Sequence, residues 1–245
     1  MEIHLPGLDQ IVNVRPLKVK EINLLTDRAS LQNGETVNRL LKDALVDSFI
    51  DPITLLDGDR NAILFGVRRA TWLDDYDITV SCPACRQRQD FTVDLSNIQE
   101  KSGDRDLIKK RYEEPNFLAP FQFKGCGLTA WWRFTDGSDF KKLIDINKKK
   151  SNQLASESLA LRIKRIEGSK EGVPIKRVLE ELDASDMSDF NEYYDECAPG
   201  HDTKVDLICT NGLCGAEFTV DMPIEPENFF KRSVRGRRSS IVSST

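Results

Sequence analysis

The sequence predicts an α+β protein, with helical bundles in two halves joined by paired β-hairpins that form a four-cysteine, zinc-ribbon-like site. Three observations predict this fold class. Apolar residues recur at helical spacing over two long stretches of the chain. Each stretch leads into short alternating runs of β-branched residues, which indicate a hairpin. Each of these hairpins carries two cysteines at its turn, as expected for half of a zinc site.

The N-terminal stretch begins with a predicted hairpin over residues 3–14, because two β-branched runs surround the turn sequence Pro6-Gly7-Leu8-Asp9. Three helices are expected next, the second after a break at Asn33-Gly34 and the third with Asp57 as its N-cap. Their expected buried faces are Val19, Ile22 and Leu25; Val37, Leu40, Leu41, Ala44 and Leu45; and Ile63, Val67 and Ala70.

Two cysteine pairs lie in nearly duplicated sequence. The first pair, in Cys82-Pro83-Ala84-Cys85, precedes Asp90-Phe91-Thr92-Val93-Asp94. The second pair, in the segment 209–214, precedes Glu217-Phe218-Thr219-Val220-Asp221. Two thiolate pairs at hairpin turns can together close a tetrahedral zinc site, so we predict one structural zinc ion per chain. The expected metal ligands are Cys82, Cys85, Cys209 and Cys214.

Other roles for these cysteines remain open at this point. The two pairs could be unrelated structural thiols. A thioredoxin-like redox pair would open a helix, whereas neither pair here precedes helical periodicity. His201 could replace one ligand, but four cysteines are already present, and we expect His201 to be a turn residue.

The middle of the chain indicates a boundary followed by another hairpin. Residues 96–111 are polar and charged, consistent with a loop or an exposed helix over 107–112. Alternating apolar residues on both sides of Gly125-Cys126-Gly127 then predict a hairpin, with Cys126 as a turn or core thiol. The segment 125–130 superficially matches a dinucleotide-binding fingerprint. We reject this match because a strand, and not a helix, is expected to follow.

From Ser138 onward, apolar spacing predicts helices again, with Pro174 in the first turn of one of them. Cys197 falls on the apolar stripe of the last helix, where a free cysteine packs as a small hydrophobe. The expected buried residues are Phe140, Leu143 and Ile144; Leu159, Ile163 and Ile166; Ile175, Val178, Leu179 and Leu182; and Met187, Phe190, Tyr194 and Cys197.

These elements divide the chain into six predicted regions. They are the N-terminal hairpin and helical region, 1–75; the first cysteine hairpin, 76–95; a linker and central β-hairpin, 96–137; the C-terminal helical region, 138–200; the second cysteine hairpin, packed on the first, 201–230; and a basic flexible tail, 231–245.

Composition narrows the functional class. The chain has 245 residues, of which 39% are hydrophobic, enough for a substantial core. Apolar runs are far shorter than the roughly 20 residues that span a bilayer, and the N-terminus lacks the pattern of a signal peptide. We therefore expect a globular protein of a reducing compartment, with no membrane partner and with its cysteines as thiols or thiolates.

The charge is uneven along the chain. Lysines cluster at 148–150 and basic residues in the tail, while 180–196 is rich in carboxylates. We interpret these runs as solvated faces. Residues 233–245 have almost no apolar content, and we expect them to be disordered in the isolated protein.

Catalytic patterns are missing from the sequence. Its two histidines, His4 and His201, leave few candidates for a general base, and neither a phosphate-binding loop nor a nucleophile elbow occurs. The carboxylates of the acidic helix are scattered, without a partner base. We therefore predict that the protein is not an enzyme, with no catalytic residues and no cofactor other than zinc.

A series of short motifs runs in order along most of the chain. They are Val14-Arg15-Pro16-Leu17, Asn38-Arg39-Leu40-Leu41, Gly58-Asp59-Arg60-Asn61-Ala62, the first cysteine pair, Ser185-Asp186-Met187, Pro199-Gly200, the second cysteine pair and Asn228-Phe229-Phe230. In this series the sequence resembles the baseplate hub family of T-even-type contractile-tail bacteriophages. The second cysteine pair departs from a tight Cys-x-x-Cys spacing.

The resemblance implies a structural or assembly component of the baseplate hub, since that family includes both a hub subunit and a factor that acts in hub assembly. It implies other phage tail or baseplate hub proteins as partners in a hetero-oligomeric assembly. We expect no nucleic-acid partner, because the chain is acidic overall. The resemblance also implies a location in the tail baseplate of the virion, and in the host cytoplasm during assembly.

Two other classes compete with this interpretation. The four cysteines and the basic tail are compatible with a zinc-ribbon module that binds nucleic acid or acts in regulation. A net charge of −5 and the lack of aromatic residues among the basic ones disfavour it. A thiol oxidoreductase is the third class, and it would require a reactive cysteine of low pKa.

Overall fold

The computed structural model describes residues 1–26, 35–47, 49–148, 154–170, 172–224 and 229–232. The described helices are α1 (Val19–Thr26), α2 (Glu35–Ala44), α3 (Asp57–Trp72), α4 (Arg105–Glu113), α5 (Phe140–Lys148), α6 (Leu154–Arg162), α7 (Ile175–Glu180) and α8 (Ala184–Cys197), with a 3-10 turn at Leu95–Asn97. The strands are β1 (Glu2–Leu5), β2 (Gln10–Asn13), β3 (Asp75–Ser81), β4 (Arg88–Asp94), β5 (Glu100–Lys101), β6 (Ala119–Gln122), β7 (Thr129–Trp132), β8 (Ile163–Glu167), β9 (Gly200–His201), β10 (Lys204–Ile208) and β11 (Glu217–Asp221). The fold therefore mixes helices with small antiparallel sheets. The break at Asn33-Gly34 and the tail from residue 233 lie outside the described residues.

The N-terminal region follows its sequence pattern closely. β1 and β2 pair antiparallel from Glu2 opposite Asn13 to Leu5 opposite Gln10, which confirms the predicted hairpin. The predicted apolar face of α2 is buried along its whole length. Val19 was expected to be buried, but it is exposed because it begins α1, where its side chain has no preceding helical turn to cover.

Asp57 is not the N-cap of α3, contrary to the prediction. Leu56 occupies the N-cap position, and Asp57 is the first helical residue. The Asp57 carboxylate instead accepts a 2.5 Å hydrogen bond from the Thr135 hydroxyl, and burial raises the pKa of this carboxyl. A distant hydroxyl thus takes the place of the local backbone amides that the capping pattern predicts.

The described residues form two hydrophobic cores, and both cysteine hairpins belong to the first. The first core joins β1, β2, α2 and α3 to residues from the two hairpins, including Phe91 and Val93 of the first and Leu207 of the second. The second core lies between the central hairpin and α8, where Trp132 packs against Phe190 and Tyr194. The second cysteine hairpin therefore packs on the N-terminal region, which is distant from it in sequence.

The central hairpin gains a third strand that the sequence pattern does not predict. β6 pairs with β7 as expected, and β7 also pairs with β8, where Ala130 lies opposite Ile166. Ile163 and Ile166 were assigned to a helix, but α6 ends at Arg162 and the chain becomes extended. The open edge of β7 offers backbone hydrogen bonds at this position, and this tertiary pairing overrides the helical spacing of the isoleucines.

A buried carboxylate fixes the N-terminal hairpin to α3. Asp59, the third residue of α3, accepts hydrogen bonds from the amides of Gly7 at 2.6 Å and Leu8 at 3.1 Å, and also from the Tyr112 hydroxyl. Burial raises the pKa of Asp59, while these three donors oppose the increase. The turn of the hairpin is thus held by charge-assisted bonds in a buried setting.

The same contact occurs at the central hairpin. Asp186, the third residue of α8, accepts bonds from the amides of Gly125 at 2.7 Å and Cys126 at 3.1 Å. The two hairpin turns also match in their backbones, since Asp9 and Gly127 both have a positive φ, of 56° and 70°. In both places, a carboxylate in the first turn of a helix therefore accepts hydrogen bonds from the backbone amides of a hairpin turn.

The N-terminal and C-terminal parts meet where the first turn of α3 contacts residues 199–200. β5 pairs with β9 here, with Glu100 opposite His201 and Lys101 opposite Gly200. Gly58 faces the backbone so closely that a Cβ at this position would overlap the carbonyl of Pro199. The close approach requires glycine at this position.

We predict that Gly58→Ala destabilises the protein by about 1 to 3 kcal/mol, because a rigid backbone group occupies the space that the new methyl needs. Helix propensity alone would make alanine about 1 kcal/mol more stable than glycine here. A decrease in stability would therefore indicate that the new methyl group clashes with the backbone at Pro199. Thermal unfolding of the purified variant measures it. Gly212→Ala is the control, since nothing lies within 4 Å of a Cβ there. Equal melting temperatures for the two variants would contradict the close packing at Gly58.

Candidate metal centre

The first cysteine hairpin positions its two sulfurs through a tight turn. β3 and β4 pair antiparallel from Asp75 opposite Asp94 to Ser81 opposite Arg88. In the turn, the Cys82 amide donates to the Gln87 carbonyl at 3.0 Å, and the Arg86 amide donates to the Cys82 carbonyl at 2.8 Å. Arg86 has a φ of 61°, which reverses the chain just after Cys85.

The second hairpin accommodates its wider cysteine spacing by moving the turn. The Cys209 amide still donates across the hairpin, to the Ala216 carbonyl at 2.9 Å. The tight turn begins two residues later, where the amides of Cys214 and Gly215 donate to the Asn211 carbonyl at 2.8 and 3.1 Å. Gly215, with a φ of 57°, then follows the second cysteine as Arg86 does in the first hairpin. The additional residues between Cys209 and Cys214 therefore lie before the tight turn. Cys214 then occupies the position in the turn that Cys85 occupies in the first hairpin.

The two hairpins bring their four sulfurs into one cluster. The Sγ atoms of Cys82 and Cys214 are 3.9 Å apart and those of Cys85 and Cys209 are 3.7 Å apart, and all four lie within 4.8 Å of one another. A tetrahedron with Zn–S bonds of about 2.3 Å has S–S edges of about 3.8 Å. A disulfide would require about 2.05 Å. The cluster therefore has the dimensions of a four-sulfur zinc site, and each close pair joins one hairpin to the other.

Gln89 supports the cluster from the first hairpin. Its side-chain Nε2 donates to the Cys209 Sγ at 2.9 Å, while its Oε1 accepts from the amide and hydroxyl of Thr210 at 2.8 and 3.0 Å. Gln89 is buried. One side chain of β4 thus orients a sulfur of the other hairpin, as outer-shell groups do in metal sites.

Two of the sulfurs, those of Cys209 and Cys214, have pKa values shifted in opposite directions. The Gln89 side chain, together with the Asn211 amide and the neighbouring thiols, lowers the pKa of Cys209 to about 7, although burial opposes this. At Cys214 the Ala216 amide lowers the pKa, but burial and hydrogen bonds to the other sulfurs raise it to about 11. Because the thiolate is the ligand form, a divalent cation would bind with release of protons.

The surroundings of the cluster indicate a closed site. Cys82 and Cys209 are buried, and Cys85 and Cys214 are half-buried. Four sulfurs around one ion would complete a tetrahedral shell and leave no position for water or substrate, as in structural zinc sites. Beneath the sulfurs, Phe91 of β4 packs edge-on against Phe218 of β11, with ring centroids 6.4 Å apart. The hairpins are therefore joined by an apolar contact as well as by their cysteines.

The remaining sequence candidates lie outside this cluster. His201 is not a turn residue as predicted, because it pairs with Glu100 in a strand and its ring lies 5.1 Å from that of Phe65. Cys126 is exposed in the turn of the central hairpin, and Cys197 is buried on α8 as predicted. The strand expected after Gly125-Cys126-Gly127 is β7, which supports rejecting the dinucleotide fingerprint.

Sequence reasoning missed Gln89, although one signal was present. In the alternation of β4, Gln89 falls on the same face as Phe91 and Val93, which are buried. A polar residue on an apolar face requires a hydrogen-bonding partner. That partner, Cys209, belongs to a hairpin that is remote in sequence, and the pairing of the two hairpins had to be known before it could be named.

A family model described as T4 bacteriophage base plate protein matches residues 1–231 of the chain. No curated protein and no solved structure matches significantly. Among the residues that the structure describes, none of the helices is long and apolar enough to cross a membrane.

We predict one zinc ion per chain in protein purified without chelator, as measured by elemental analysis. Cys82→Ser and Cys209→Ser, combined in one variant, should lose the ion and unfold at a clearly lower temperature, because binding free energy is also folding free energy. Cys126→Ser removes an exposed thiol outside the cluster and should retain the full zinc content. Metal-free wild-type protein, or a double variant with full zinc, would contradict the assignment.

A second prediction concerns Gln89, whose side chain bonds to the Cys209 sulfur. Gln89→Ala should weaken zinc binding about tenfold or more while preserving one ion per chain, because the sulfurs remain but Cys209 loses its orienting donor. Competition with a chromophoric chelator measures the change. Gln87→Ala is the matched control, since the Gln87 side chain is exposed and its carbonyl alone bonds to Cys82. If both variants bind zinc equally well, the contact of Gln89 has no role in binding.

Proposed function

The chain belongs to the T4 bacteriophage base plate protein family, and from this premise we propose that it is a structural or assembly component of the baseplate hub in a contractile phage tail. Membership of a baseplate family implies a place in the virion tail and contacts with other tail or baseplate proteins. The single observation that carries the proposal is the family match over residues 1–231, which spans both cysteine hairpins and the regions between them.

The hub is the more specific part of the proposal. It is supported by the ordered motifs in which the sequence resembles the hub family, from the segment 14–17 to the residues around Phe229. Phe229 is fully buried and packs edge-on against Phe65 and Tyr76, so this motif is part of the first core. A family motif that stabilises the body of the protein fits a compact building block.

We propose further that the protein acts through its surfaces and not through catalysis. The four sulfurs fit a closed zinc site, in which the metal would be held by Cys82, Cys85, Cys209 and Cys214 and would supply rigidity. Closing such a site joins segments separated by 124 and 132 residues. A small body held rigid in this way loses little conformational entropy when it docks, which favours assembly.

We predict that a virus lacking this protein fails to form functional baseplates, as seen by electron microscopy of lysates and by loss of infectious particles. Wild-type protein supplied from a plasmid should restore both. The Cys126→Ser variant should restore them as well, whereas the double variant at Cys82 and Cys209 should not, because it lacks the metal closure.

A protein inventory of purified virions and of hub intermediates separates the two roles. A hub subunit is present in both, and an assembly factor is present in the intermediates alone. Normal tails assembled without the protein would refute both roles.

A further inference from the structure

The segment that connects α2 to α3 exposes three large apolar side chains. Val46 is 60% exposed, Phe49 77% and Ile53 44%. Ile11 of β2, the strand that Val46 contacts, is 68% exposed. The Val46 amide donates to the Asn13 carbonyl at 2.9 Å, so Val46 lies along β2, where Asn13 and Ile11 share a face. We call Ile11, Val46, Phe49 and Ile53 the apolar patch.

Described residues of this segment are anchored to the rest of the protein. Leu45, Ile50 and Leu55 are buried in the first core. The Pro52 carbonyl accepts a 2.6 Å bond from the buried guanidinium of Arg60, and Thr54 donates from its amide and its hydroxyl to the Asp51 carbonyl at 3.0 and 2.9 Å. The backbone around Ile53 is therefore held by these bonds, and that of Val46 by its bond to Asn13, which reduces the entropic cost of binding there.

Carboxylates are frequent in the segment that carries most of the patch. The segment 43–51 contains Asp43, Asp47 and Asp51 and has no lysine or arginine. The Asp43 Oδ2 atom lies 3.9 Å from the Nε atom of Arg39, one turn earlier on α2. The Asp47 carboxylate accepts a hydrogen bond from the Asn13 amide at 2.5 Å. Two identical patches face to face would bring these carboxylates together, and an anionic membrane surface would repel them. A partner with basic residues around an apolar recess is complementary to this acidic segment.

We propose that the apolar patch docks a neighbouring baseplate protein, with Phe49 inserted into an apolar recess that is rimmed by lysine or arginine. The proposal rests on the function proposed above and names one of its interfaces. An exposed phenylalanine at the centre of a contact is the kind of residue that contributes most to affinity, while the carboxylates of the segment select the partner.

The test is assembly in vitro. Extract from cells infected with a virus lacking this protein is the probe, and purified full-length protein is added in increasing concentration. Phe49→Gln should raise the concentration needed for half-maximal baseplate formation by about thirtyfold. Asp51→Asn should raise this concentration several-fold at low salt and much less at high salt. Salt screens the attraction between exposed charges on the two partners, so the loss of one charge matters less.

Leu213→Gln is the matched control, since Leu213 is a fully exposed apolar side chain on the second cysteine hairpin and its loss should leave assembly unchanged. Thermal unfolding of each variant should match wild type, as the altered side chains are exposed. If wild type supports assembly and Phe49→Gln does so equally well, the docking surface is wrong and the proposed function stands. If wild type itself fails, both are wrong. Sedimentation of a wild-type dimer that Phe49→Gln converts to monomer would identify a second copy as the occupant and overturn the proposal.

Discussion

The structure depends on one long-range constraint, the meeting of two cysteine hairpins that are more than a hundred residues apart in sequence. Fixing such distant segments has a large entropic cost, which local hydrogen bonds in two-stranded hairpins do not offset. The four sulfurs at tetrahedral spacing, the Gln89 bond to Cys209 and the contact of Phe91 with Phe218 all act at this junction. A metal ion bound there would connect the final hairpin to the N-terminal core and so close the chain on itself.

A second constraint repeats within the fold. Asp59 and Asp186 each lie at the third position of a helix and clamp the turn of a hairpin through two backbone amides. The same number of residues separates Asp59 from Cys82 as separates Asp186 from Cys209. In each half of the chain, a helix with an aspartate at its third position is therefore followed by a cysteine hairpin. The spacing from the aspartate to the first cysteine is the same in both halves. This repetition explains why the two cysteine hairpins have matching strands and can complete one site together.

Much of this fold is readable from the sequence where the determining interactions are local. Turn residues and strand alternation predicted the cysteine hairpins, the N-terminal hairpin and the central hairpin, and apolar spacing predicted α2 and α8. Long-range interactions account for the errors. β8 is a strand because it pairs with the edge of β7. β5 and β9 are too short to have a sequence signature. Asp57 accepts a hydrogen bond from Thr135 instead of capping its own helix. The four candidate ligands came from spacing and duplication, whereas Gln89 became visible through the packing of the hairpins.

Within a baseplate family, a small protein whose distant segments are joined in this way is suited to forming contacts with other baseplate proteins. We propose that metal closure, and not hairpin formation alone, holds the last hairpin on the N-terminal core. Amide hydrogen exchange of the full chain, before and after treatment with a chelator, tests this most directly. The account predicts that protection in β3, β4, β10 and β11 falls together once the metal is removed, along with that of the first core. Unchanged protection in metal-free protein would contradict it.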